Sequence, residues 1–239
     1  MMRTLTIARR EIISFFFSPV AYMVLIIFTF VTTLLFFATF GAGAPANLRT
    51  ELGWIVWLLV FVTPAISMRL LSEEVNHGTI ELLMTVPISD TELILGKWLG
   101  ATATFASLLV PVLVHVVVLE LYANPDYGPI ITGLAGMLLV GGLYLAIGTF
   151  VSATSQSQLV AFMLTLLVTG FLTIGMYMLG RADWAPPGLQ QAMFYLNVDQ
   201  QFADFAKGLI DVTNLVYFAS GIALFLFLAV LTLQSRRWR

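Results

Sequence analysis

From Tyr127 to Gly180 the chain runs 54 residues without one Asp, Glu, Lys or Arg. A water-soluble surface needs charge, whereas a bilayer core demands long apolar helices whose backbone polar groups are all paired internally. Four further uncharged runs follow the same pattern: Ile12–Leu48, Leu52–Met68, Trp98–Leu119 and Val212–Ser235. One crossing takes ~20 residues. The 54-residue run is therefore two crossings, parted by the polar sequence Ser152-Ala-Thr-Ser-Gln-Ser-Gln158. Six spans are predicted, near 20–41, 52–71, 98–121, 130–151, 158–180 and 213–233, giving an all-α integral membrane protein with one transmembrane domain over 1–239. Charged residues make up only 10% of the chain, against about 25% in soluble domains, which excludes a soluble enzyme and a disordered chain. A net charge of −2 excludes a nucleic-acid partner, and the lack of cysteine excludes disulfides, thiolate metal sites and a catalytic thiol.

The cations set the orientation. Six crossings leave both termini on one side, and that side collects Arg3, Arg9, Arg10, Arg69, Lys97, Arg236, Arg237 and Arg239, eight of eleven. The other side holds Arg49, Arg181 and Lys207. The positive-inside bias then puts both termini in the cytoplasm. The first apolar run, with Ala42-Gly43-Ala44 after it, is about twice the ~7–15 residues of a signal-peptide core, so a retained span is expected.

Between the crossings, local signals predict short helices. Residues 3–17 read as a basic interfacial helix, with Leu5, Ile12 and Phe16 on one face and Arg3 and Arg10 on another. Ser18-Pro19 starts the first span, and Pro64 lies inside the second, where a missing N–H kinks a helix. In the polar stretch 72–92, Gly78 ends one helix, Thr79 caps a short second one and Pro87 stops it. Ser89 with Glu92, and Ser155 with Gln158, read as capping boxes for the third and fifth spans. The segment 181–212 reads as a rigid turn at Trp184–Gly188 and then an amphipathic helix over 198–209, lying on the outer surface or dipping into it. Val198, Phe202, Phe205 and Leu209 form its apolar face.

Chemistry is conspicuous by what is missing. No H-E-x-x-H, G-x-S-x-G or phosphate-binding loop occurs, since Trp98 follows Gly96-Lys97 where Ser or Thr belongs. No cofactor is expected on this chain. His115 and Glu120 stand out as ionisable groups near span interiors. His115 reads either as lining a substrate path or as a hydrogen-bonded bundle residue.

Residues 64–101 carry a met-arg, glu-glu, gly-thr-x-glu-leu-leu, thr-x-pro and leu-gly-lys succession: Met68-Arg69, Glu73-Glu74, Gly78-Thr79-Ile80-Glu81-Leu82-Leu83, Thr85-Val86-Pro87 and Leu95-Gly96-Lys97. In this the chain closely resembles ABC-2-type transporter permeases, most strongly their gliding-motility-type branch. The likeness extends over nearly the whole chain, including the basic N-terminal helix and the segment Tyr195–Asp211. It implies a permease subunit paired with a second permease and with separate ATP-binding-cassette subunits, which would hold the ATP and magnesium. Gly78–Thr85 would be the coupling helix, with Glu73 and Glu74 on the arm before it, and residues 3–17 the connecting helix. Glu81 would meet a basic group on the ATPase, Leu82 and Leu83 would supply apolar contact, and Pro87 would end the peg. Pro64 and His115 are the candidates for the path itself. The rival reading is a membrane-embedded assembly or anchoring component of a surface machine, with 181–212 as its working surface and an outer accessory protein as partner. Secondary transport ranks last, because paired charges at mid-membrane are almost absent.

Overall fold

A computed structural model describes residues 2–41, 47–76, 78 and 88–236. It is 84% helical, with no strand among the described residues. Helix α1 (Met2–Phe16) precedes the first span, α2 (Pro19–Thr39). The second span is α3 (Arg49–Ser67), followed by a short arm, α4 (Ser72–Asn76). The third is α5 (Asp90–Leu108) continued by α6 (Val110–Tyr122), and the fourth is α7 (Tyr127–Thr154). The fifth runs through α8 (Gln158–Gly170), a π-helical turn at Phe171–Gly175 and α9 (Met176–Gly180). Two short helices, α10 (Pro187–Leu196) and α11 (Val198–Phe205), lead to the sixth span, α12 (Val212–Arg236). Six helices are thus long and apolar enough to cross a membrane, as the sequence predicts.

The spans are unequally enclosed. In α3 and α7 the most apolar stretch is 67% buried, against 22% in both α2 and α12. The hub is α7, whose glycines admit neighbouring side chains: a methyl group on Gly141 would collide with the Phe105 ring. Helices in lipid associate through such close packing, because lipid offers no hydrophobic driving force between them. Ile7, Leu71, Leu93, Ala153, Leu226 and Leu233 pack together where α1, α4, α5 and the last turns of α7 and α12 meet, and this is called here the terminal end. Exposed Trp184, Tyr122, Tyr127 and Tyr195 mark the far end, as an interfacial aromatic belt does.

Several local expectations are corrected. The Ser89–Glu92 capping box forms in full, but the fifth span is capped from Ser157, without a side-chain bond, rather than from Ser155. Ser18 occupies the N-cap before Pro19, also without its side-chain bond. The face of α1 that packs inward carries Ala8 and Phe15, while Leu5 is 64% exposed. The third span breaks at Leu109, where Pro111 interrupts the hydrogen-bond ladder. The helix expected over 198–209 ends at Phe205: Gly208 takes φ +91° and the Leu209 N–H donates to the Asp204 carbonyl. Where the sequence reads as a turn, α10 forms from Pro187 onward, with no residue buried.

Candidate coupling site

Three elements converge on one cation at the terminal end. The Lys97 side chain, 3% exposed on the second turn of α5, donates to Glu11 Oε1 of α1 at 2.8 Å and lies 2.9 Å from Glu74 Oε1 of α4. Beside it a cavity of about 350 Å³ is walled by Arg10, Glu11, Arg69, Glu73, Glu74 and Lys97. The Arg69 guanidinium lies over the Phe15 ring at 4.8 Å. One ammonium thus neutralises carboxylates on two other helices, and removing it would leave both half-buried with only the cavity and its arginines, Arg10 and Arg69, to offset their charge.

Backbone shape makes this junction fit. A Cβ on Gly96 would lie 2.8 Å from Ile7 Cβ, and one on Gly100 would lie 2.7 Å from Glu11 Cβ and 2.9 Å from the Ala8 carbonyl. The Gly96-x-x-x-Gly100 face therefore lets α1 lie directly on α5, which carries Glu11 to Lys97. A second tie holds the arm. Ser152, fully buried on α7, accepts from the Leu71 and Ser72 N–H groups at 3.0 Å each and donates to the Met68 carbonyl at 3.2 Å. It supplies the acceptor that the first turn of α4 lacks on its own. Gly78, at φ +66° with its N–H 3.3 Å from the Val75 carbonyl, closes α4.

Of the residues singled out in the sequence, Glu74 takes part in the junction, Glu73 lines the cavity from an exposed position, and Gly78 ends the arm. Thr79, Glu81, Leu82, Leu83 and Pro87 lie outside the described residues. Pro64 is buried in α3. His115 is buried toward the far end, where its Nδ1 lies 2.6 Å from Glu51 Oε1 and its Nε2 3.3 Å from Thr33 Oγ1. Phe36 stacks on the imidazole at 4.6 Å. Glu120 instead accepts from the Tyr127 hydroxyl. Sequence reasoning missed Glu11, Glu51, Lys97 and Ser152 as site residues. A lone acid in a basic helix and a Gly-x-x-x-Gly pair enclosing a lysine were the available signals for Glu11 and Lys97.

At the far end, Asn197 caps α11 by accepting from the Gln200 N–H at 2.8 Å and donates to the Thr173 carbonyl inside the π-helical turn at 2.7 Å. Thr173 also pairs with the fully buried Tyr144 hydroxyl. The two aspartates of α11 are tuned in opposite directions. Burial pushes the Asp199 carboxyl up, against a hydrogen bond from Trp57, while Lys207 and Asn214 hold Asp204 below the usual carboxylate range.

Compared with protein families, residues 9–235 match the model described as ABC-2 family transporter protein. The chain belongs to the ABC-2 transporter family. No curated protein matches it. As an ABC-2 permease it is a multi-pass membrane subunit of an ABC transporter, working in lipid with an ATP-binding-cassette ATPase on a separate partner.

Proposed function

We propose that this ABC-2 permease moves a substrate across or out of a bacterial cytoplasmic membrane, with both termini in the cytoplasm and the 72–92 segment as its ATPase-coupling region. ATP hydrolysis on the partner reaches the spans through Gly78–Thr85 and through α1. The observation that carries this reading is the Lys97 junction: any displacement of α4 or α1 pulls on the same buried ammonium, and hence on the third span. Glu81, Leu82 and Leu83 meet the ATPase; Glu73 and Glu74 stand behind them on the arm. A second permease, identical or related, completes the pathway, and the chain sits in the gliding-motility-type branch of the family.

The test substitutes Glu81→Arg with Leu82→Asp and measures co-purification of the ATPase and its turnover. Association should be lost, and unchanged association overturns the docking role. The second reading, an anchoring component without cargo, is favoured by the exposed Leu189, Tyr195 and Leu196 of α10, which offer a surface to an outer accessory protein. Inactivating the ATPase separates the two, since anchoring without transport survives it.

A further inference from the structure

We propose that a single acyl chain of a phospholipid occupies a groove between the start of α5 and α12. The groove is walled by one face of α12 from Ala219 to Gln234, faced by Thr91, Ile94 and Leu95 of α5 and floored by Leu139 of α7. These sixteen residues of helix, fifteen steps of ~1.5 Å, span about 22 Å, more than the ~15 Å depth of one leaflet. The small side chains of Ala219 and Ala223 open its inner part, and its polar residues, Thr91 and Gln234, sit together at the terminal end, where headgroups lie. Polar mouth and apolar body match the two parts of a lipid.

The cavity, of about 680 Å³ drawn out along about 22 Å of helix, is long and narrow, the shape of an extended chain. It does not lie behind other spans, because α12 is among the least enclosed and Phe227 on the groove wall is 60% exposed. Acids and a cation stand near the mouth: Asp90 and Glu92 begin α5, and Arg3 lies close enough to act on Glu92. This mixed field suits a zwitterionic headgroup over an anionic one.

The test uses the full chain in vesicles containing phosphatidylethanolamine with a photoreactive group on one acyl chain, and in matched vesicles of photoreactive phosphatidylglycerol. Labelled peptides should map to 219–234 and 91–95 above the exposed faces of α2 and α8, and more so with phosphatidylethanolamine. Ala223→Trp, which fills the groove, should cut that labelling about tenfold while sparing α2, as expected for the loss of a few buried methylene contacts. Ala219→Val, a smaller change, should cut it less and guards against misfolding of the first variant. Labelling spread evenly over all spans, or unaltered in both variants, overturns the proposal. So does efficient disulfide pairing between copies of a Phe227→Cys variant, which would make the groove a protein interface. Assigning the lipid to the inner leaflet rests on the cytoplasmic termini; an inverted chain would change the leaflet and leave the labelling pattern intact.

Discussion

At the terminal end Lys97 serves two carboxylates from two other helices beside a cavity, whereas toward the far end His115 and Glu51 form a closed pair beneath the ring of Phe36. Both are buried and both cross between elements. The difference lies in what surrounds them. Water reaching the cavity can solvate Glu11, Glu74 and their neighbours when α4 or α1 shifts, so the junction can be rearranged. Glu51 is 1% exposed and its Oε2 has no hydrogen-bond partner among the described residues, so opening that pair leaves polar atoms facing lipid or packed side chains. A junction meant to transmit motion can sit at the first place, and a clasp holding spans one to three can sit at the second.

The largest expected effect breaks the first of these. Lys97→Met should destabilise the chain by roughly 3 kcal/mol, the low end for a broken buried pair because Arg10 and Arg69 remain beside the carboxylates, read as a fall in melting temperature in detergent. ATPase binding should persist in the fraction that folds while its stimulation is lost. Equal loss of binding and stimulation would count against transmission through this residue. Next in size, Gly100→Leu should cost about 1–3 kcal/mol by overpacking and should lift α1 from α5, making Arg9 and Arg10 more accessible to trypsin. Trypsin sensitivity equal to that of the parent would show that the close approach at Gly100 is not what holds α1.

The far-end clasp should respond differently. Glu51→Gln keeps an acceptor for His115 and should cost about 1 kcal/mol, lowering the melting temperature without altering ATPase stimulation. A selective loss of stimulation would erase the proposed distinction between the two ends. The smallest effects should come from α11. The raised Asp199 carboxyl binds its proton more tightly in the fold, so its contribution to stability is present below about pH 3.9 and declines as pH rises through its raised value. The lowered Asp204 carboxyl works oppositely: its contribution is present above about pH 3.9 and is lost as pH falls through its depressed value. At neutral pH Asp199→Asn should therefore raise the melting temperature slightly and Asp204→Asn lower it, as scanning calorimetry or fluorescence can resolve.

How far these features could be read in advance depends on the range of the interaction. Ser89 and Glu92 are three residues apart, and their capping box is visible as a pattern because both partners lie in one turn. The Lys97 junction joins residues 86 positions apart and the clasp joins residues 64 positions apart, so no window of sequence contains them. The π-helical turn at Phe171–Gly175 lies in an apolar run of ordinary appearance, and its bond to Asn197 appears only once α11 is folded against the fifth span.

The chain's own order of residues determined that it is an all-helical membrane protein with six crossings, because hydropathy and charge act residue by residue against the bilayer. It also placed the arm ending at Gly78 and the start of α5, since caps are local. Only the tertiary structure decided which spans form the hub, which face of α1 turns inward, that Ser152 secures the arm and which acids share Lys97. Those outcomes depend on how closely two backbones can approach, and that is settled by the shape of the other helix.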